Sequence, residues 1–241
     1  MAETRKKKVS APERPGLPRV LPWHASALAL VRNAWAGARM PHALLLHGPE
    51  GIGKRELARW IAGAVLCESS AGGPLDVCGQ CASCGLLEAG SHPDFHLVTP
   101  EEDKQQISIE QVRAAADVLA RTSYRQGGWR VVILDPAHQM TVAAANSVLK
   151  TLEEPGAASL LVLVTPRPSA LPATVRSRCQ KLAVRRPSEH EAIEWLRAEA
   201  GTAVEAQVLQ FAGGGPLRGL GHAEGRFPAP DRPIRASAGG A

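Results

Sequence analysis

At 241 residues, with 44% hydrophobic content, the chain is long enough for one large domain and a small second one. Its net charge of +5 sits in the ends: residues 1–22 carry six basic groups against two acidic, residues 218–241 four against two, and the body between them 18 against 19. A near-neutral body with only 4% aromatic residues argues against a stacking platform for single-stranded nucleic acid, and the apolar runs, typified by 160–164, are too short to span a membrane.

Residues 1–18 are charged and proline-rich and read as a disordered basic tail. The basic run at 5–8 has no apolar region after it, so it is not a secretory signal, and a cytoplasmic protein without membrane contact is expected. A helix is predicted within 20–40, with Leu28, Val31 and Trp35 on one side and Trp23 and Trp35 as core anchors. The apolar run Ala43-Leu44-Leu45-Leu46 then leads into His47-Gly48-Pro49-Glu50-Gly51-Ile52-Gly53-Lys54. Strand, glycine loop and helix in this order make a phosphate-binding P-loop. Gly48, Gly51 and Gly53 let the backbone turn tightly and aim its N–H groups inward. Lys54 adds a point charge for the outer phosphates, and the next helix offers its positive end. Leu57, Ile61 and Val65 recur at spacing four beside Ala58 and Ala62, as on a buried helix face. The residue after the P-loop lysine should be Ser or Thr, whose hydroxyl helps hold magnesium. This chain has Arg55, which cannot ligate a cation and would repel one, or would fill the phosphate space itself.

Beyond that helix, ten residues separate Cys67 from Cys78, and two separate each of Cys78, Cys81 and Cys84. Four thiolates satisfy a tetrahedral zinc ion, and paired C-x-x-C turns bring sulfurs to one point. The surrounding Gly72, Gly73, Pro74, Asp76 and Gly79 are loop-like, so scattered core cysteines are the poorer reading, and a redox pair would not need the other two. The expected role is structural, since four ligands leave no open position. His92 and His96 could be ligands, but four cysteines already complete a site.

The stretch 92–98 reads as a turn into a strand. Ser108 and Gln111 form a capping box for a helix carrying Ile109, Val112, Ala116 and Leu119. The run Val131-Val132-Ile133-Leu134 ends in Asp135, the pattern of a Walker B strand, whose carboxylate could help hold magnesium. An active ATPase of this type usually has a water-activating Glu next; here it is Pro136. A helix over 141–152 stops before Pro155, which cannot continue it. The strand 160–164 ends in Thr165. The segment 171–179 contains Ser177-Arg178-Cys179 and precedes a short strand to Val184. Ser188 and Glu191 make a second capping box, for a helix with Ile193, Leu196 and Ala200. Further helices are predicted at 204–212 and from Pro216 onward.

This order of motifs, with Leu-Glu-Glu-Pro at 152–155, Ser-Arg-Cys at 177–179 and Gly-Gly-Pro-Leu-Arg at 214–218, resembles the bacterial clamp-loader family over roughly 20–220. The resemblance implies an α/β fold. A P-loop AAA+ domain of parallel strands flanked by helices would span 19–184, with a zinc-binding insertion at about 67–84. A small three-helix lid would follow at 185–220. The family's helical collar domain would be missing, with 221–241 a disordered or aberrant tail. It further implies a stator of the DNA polymerase III holoenzyme, in a ring of five subunits that loads a sliding clamp on primed DNA. The partners implied are the motor and delta subunits, the clamp indirectly, and primer-template DNA through the assembly. Arg178 matches the family's arginine finger, acting in trans on a neighbour's ATP. Arg218 resembles the lid arginine called sensor 2. With Gly48, Gly51, Gly53, Lys54, Asp135 and Thr165 it makes up a degenerate nucleotide site. Zinc is the expected cofactor; the glycines and Lys54 permit ATP binding, and Arg55 opposes it. No intrinsic ATPase activity is expected. The competing readings are an active clamp-loader ATPase, favoured by Lys54 and Asp135 and opposed by Arg55 and Pro136, and a stand-alone zinc-containing DNA-binding module, opposed by the neutral body.

Overall fold

A computed structural model describes residues 16–200 and 215–217. Five short strands, β1 (Ala43–His47), β2 (Phe95–Val98), β3 (Arg130–Leu134), β4 (Ser159–Thr165) and β5 (Gln180–Ala183), form one sheet in the order β2-β3-β4-β1-β5. Every neighbouring pair is parallel. Parallel strands need crossovers, and these are helices that cover both faces of the sheet. That double cover is why β1, β3 and β4 read as unbroken apolar runs rather than alternating ones.

The alternation reappears once the two faces are separated. Leu44, Leu46, Val131, Ile133, Leu160, Val162 and Val164 point to a layer made by α1 (Ala25–Ala36) and α2 (Lys54–Leu66). Leu45, Val132, Leu134, Leu161 and Leu163 point the other way, onto α4 (Ile109–Ala120) and α5 (Val142–Glu153). Burying each such side chain contributes about 1.5–3 kcal/mol before chain entropy is counted. The Ser108–Gln111 capping box forms as expected, with Gln111 N donating to Ser108 Oγ at 3.3 Å and Ser108 N donating to Gln111 Oε1 at 3.0 Å. On α4, Val112 and Leu119 are buried as expected, but Ala115 rather than Ala116 lies in the core; Ala116 is only partly buried.

A third helix, α3 (Ala82–Glu88), closes the cysteine segment. The stretch 171–179, read as a connection, contains a single helical turn, α6 (Ala173–Arg176), which buries Val175. Helix α7 (Glu189–Ala200) starts on the second capping box, where Glu191 N donates to Ser188 Oγ and Ser188 N to Glu191 Oε2. Residues 16–18, placed in the tail by composition, are described here. The Gly16 carbonyl accepts from Arg59 on α2 at 3.0 Å, and Leu17 and Pro18 face Gly79 and Gly63. Two apolar residues at the end of a charged stretch suffice to dock it. The rest of the predicted basic tail, the predicted helix at 204–212, Arg218 and the stretch 221–241 lie outside the described residues. Of the segment expected to form a three-helix lid, α7 and residues Pro216 and Leu217 are described.

Candidate functional site

In an open parallel sheet, ligands meet the crevice at the carboxyl ends of the strands. The P-loop lies there, between β1 and α2. Its glycines are conformationally obligatory: Gly51 and Gly53 have φ of 73° and 80°, and Gly48 has 148°. A Cβ on Gly48 would sit 2.4 Å from the Val184 carbonyl oxygen, and one on Gly53 2.3 Å from Leu21. The loop is also held from beneath. Ile52 is fully buried, and its carbonyl accepts from Trp23 Nε1 at 2.8 Å and from His24 Nε2 at 3.0 Å. His24 Nδ1 accepts from Leu21 N, so this histidine is neutral with its proton on Nε2. Burial lowers its pKa, and the bond to Ile52 opposes that only in part.

Lys54 opens α2 and is buried at 7% exposure. Its ammonium donates to the Gly48 carbonyl at 3.0 Å and to the Pro49 carbonyl. Burial lowers its pKa, while the Asp135 and Glu50 carboxylates pull it back up. Two strands over from β1, Asp135 directly follows β3 and is itself followed by Pro136. Its Oδ2 is taken by Arg55 Nε in a close ion pair. Arg55 therefore reaches sideways to the Walker B carboxylate, with half of its side chain still exposed. The register sets Thr165 beside His47, next to the start of the P-loop. Thr165 Oγ1 accepts from Arg167 N at 3.0 Å and from His138 Nδ1 at 3.2 Å, and Arg167 donates to His138 Nε2 at 2.7 Å. His138 is thereby a neutral link, its pKa lowered first by burial and then by Arg167. The lid reaches the same place. Leu217 N donates to the Gly51 carbonyl at 3.0 Å, and Gly215 packs so closely that a Cβ there would be 2.6 Å from the Glu50 carbonyl oxygen. The structure thus brings together Gly48, Gly51, Gly53, Lys54, Asp135 and Thr165.

The four cysteines also converge. Cys67 ends α2, Cys78 lies in the loop, Cys81 caps α3 and Cys84 stands in its first turn. Their sulfurs lie within 4.8 Å of one another, with Cys67 to Cys81 at 3.9 Å and Cys78 to Cys84 at 4.0 Å. A tetrahedron with metal–sulfur bonds of about 2.3 Å has edges of about 3.8 Å, so the set fits such an ion. Backbone N–H groups of Cys78, Gln80 and Cys84 point at Cys67, Cys78 and Cys81 sulfurs at 3.5 Å, as thiolates require. The Cys78 thiol is lowered to about 6, first by the Ser69 hydroxyl and then by backbone donors, whereas burial pushes Cys84 upward. His92 and His96 stand apart from this cluster; His92 Nδ1 accepts from Asp94 N. The module is pinned to α1 by Arg32 Nε and Trp35 Nε1, which donate to the Leu75 and Gly73 carbonyls.

Arg178 lies elsewhere. It sits between α6 and β5, where Gln180 pairs with Leu44 and Ala183 with His47. It is therefore at the amino end of the sheet, at least ~10 Å along the strands from the P-loop, taking about 3.3 Å per residue. Its guanidinium pairs with Glu153 at 2.8 Å and donates to the Thr174 carbonyl at 3.1 Å, with 38% of the side chain exposed. Cys179 beside it is buried, with its thiol raised to about 11 by burial. The partners Arg55–Asp135, His138–Thr165–Arg167 and Glu153–Arg178 were not foreseen. Only Arg55 carried a signal, as a cation placed where a metal ligand belongs.

Sheet order, P-loop and Walker B strand together define an AAA+ type P-loop module. The Thermotoga maritima RuvB Holliday junction branch migration motor shares the fold, with a TM-score of 0.53 at 18% identity, over 83% of this chain and 59% of that one. The chain belongs to the family described as DNA polymerase III, delta subunit, which it matches over residues 23–188. It is 41% identical over 201 residues to the DNA polymerase III subunit delta' of Pseudomonas aeruginosa, covering 82% of this chain and 60% of the relative. To the subunit delta' of Escherichia coli it is 34% identical over 197 residues, covering 81% and 58%. The chain spans three-fifths or less of the length of these relatives. Among the described residues, no helix is long and apolar enough to cross a membrane.

Proposed function

We propose that this chain is a clamp-loader stator of DNA polymerase III, a cytoplasmic replication subunit that donates Arg178 in trans to ATP on a neighbouring motor subunit. The observation that carries this reading is the place of Arg178. It is partly exposed at the sheet end opposite its own P-loop, which supports service to a site on another chain rather than to its own loop. Arginine suits the task, since its planar, permanently charged guanidinium can meet two phosphate oxygens at once. Family membership supports this assembly, in which the motor and delta subunits would be direct partners, the sliding clamp an indirect one, and primer-template DNA would be met through the ring.

The chain's own loop does not hydrolyse ATP in this reading. The residue after Lys54 has no hydroxyl, and the residue after Asp135 has no carboxylate to activate water. Gly48, Gly51, Gly53, Lys54, Asp135, Thr165 and Arg218 are the remains of a nucleotide site on a module spanning 19–184 and a lid spanning 185–220. Cys67, Cys78, Cys81 and Cys84 hold one structural zinc ion that ties the insertion to α2 and α3. The test is co-purification of this chain with the motor and delta subunits, followed by ATP turnover of the assembly. A chain that fails to enter the ring, or that hydrolyses ATP alone with a rate lost in Lys54→Ala, would contradict the proposal.

A further inference from the structure

The fold implies a magnesium–nucleotide complex at the P-loop, and the residues present do not fit the metal. A divalent ion there draws on two protein groups: a hydroxyl on the residue after the P-loop lysine, and the carboxylate at the end of the Walker B strand. Both are lost to a single side chain. Arg55 stands where the hydroxyl belongs, and its Nε holds Asp135 Oδ2. Asp135 is nearly enclosed, with 10% of its side chain exposed, so it has little room to serve a second cation. The glycine loop, by contrast, is intact in conformation, with Gly51 and Gly53 in the left-handed region and Lys54 buried beneath Gly48.

We infer that Arg55 is a built-in cation that takes the divalent ion's place on Asp135 and excludes magnesium–nucleotide from this P-loop. The guanidinium neutralises the carboxylate, as the metal would. Half of the Arg55 side chain is exposed while Asp135 is nearly enclosed, so an arriving divalent ion meets a like charge and an already paired ligand. Loop and strand stay joined without a ligand, which suits a module that acts as a rigid part rather than a cycling one. This concerns the chain's own loop and holds whether or not the chain enters a ring.

The inference makes a gain-of-function test available, because Arg55→Thr restores the hydroxyl and frees Asp135 in one step. Binding of a fluorescent ATP analogue to the purified full chain is measured with added magnesium and in magnesium-free buffer without chelator, so that the cysteine site is left undisturbed, alongside the melting temperature in each condition. For the parent, affinity and melting temperature in the presence of nucleotide are expected to be the same with and without magnesium. For Arg55→Thr, magnesium should tighten binding at least tenfold, and Asp135→Asn added to that variant should abolish the gain. Arg55→Ser serves as a second carrier of the hydroxyl should the threonine variant fold poorly. A parent that binds nucleotide more tightly with magnesium would overturn the inference. So would Arg55→Thr and Arg55→Ser variants that fold and show no magnesium dependence. Neither result bears on Arg178, so failure here is distinguishable from failure of the stator reading.

Discussion

Trp23 is the most telling side chain to remove, because it joins the P-loop to the lid. It is fully buried, donates from Nε1 to the Ile52 carbonyl at 2.8 Å, and meets Trp195 of α7 edge-on at 5.5 Å between ring centroids. Trp23→Ala deletes the largest side chain under the loop, and such truncations cost about 3–5 kcal/mol. At 2–4 °C per kcal/mol for a chain of this size, the melting temperature should fall by roughly 6–20 °C. Trp23→Phe separates the contributions. It keeps an aromatic edge against Trp195 and loses the hydrogen bond, and the Ile52 carbonyl still accepts from His24, so no buried oxygen is orphaned. The loss there should be about 0.5–1.5 kcal/mol for the bond, with a small packing term added. Scanning calorimetry of both variants is the assay. A Trp23→Ala shift below about 3 °C, or a Trp23→Phe shift equal to it, would refute the reasoning that packing dominates at this joint.

Metal analysis of the purified chain should give one zinc ion, and Cys81→Ser should lose it; unchanged zinc in that variant would count against the four-cysteine site. Chelation should speed hydrogen exchange in 67–88 well before it affects β1, β3 or β4, because the site closes a loop excursion rather than the sheet. Stability should depend on pH through four buried or partly buried histidines. His24, His47, His92 and His138 all have folded-state pKa values below the ordinary 6.5, each with burial as the first cause. The unfolded chain therefore binds more protons as pH falls, so stability should be level above about pH 6.5 and decline below it. A denaturation midpoint that rises on going from pH 7 to pH 5.5 would contradict this. Steady-state turnover of ATP by the isolated chain should match the Lys54→Ala variant.

Much of this fold was legible because its signals are local. Apolar runs bounded by Gly, Pro and Asp gave the buried strands, spacing of three and four gave the helix faces, and Ser108–Gln111 and Ser188–Glu191 gave two helix starts. The cysteine spacing alone pointed to a cluster, and the sulfurs do converge. What the chain order hides is what the sheet order creates. Arg55 and Asp135 are 80 residues apart, and they meet because β1 and β3 flank β4. Thr165 acquires His138 by the same route, and Glu153 meets Arg178 only because α5 packs beside α6. Ala115 in place of Ala116 is a smaller case: among consecutive alanines, hydrophobic periodicity carries no phase. The single turn of α6 is too short for any period to register.

The measurement that bears most directly on the stator reading is ATP turnover of a reconstituted clamp loader carrying Arg178→Ala or Arg178→Lys, with ring assembly checked by mass. Glu153→Gln belongs beside them, since it releases the guanidinium from its resting partner on the same chain. Arginine fingers accelerate phosphoryl transfer on the order of a thousandfold or more, and in the proposed reading a single interface would depend on Arg178. The expected result is an intact ring with a partial loss of DNA-stimulated turnover for both Arg178 variants, lysine being unable to replace the planar fork, and no loss for Glu153→Gln. Intact rings that load clamps and turn over ATP like the parent would show Arg178 to be a surface charge. Rings that fall apart in both Arg178 variants would make its role structural and contradict the assignment in trans.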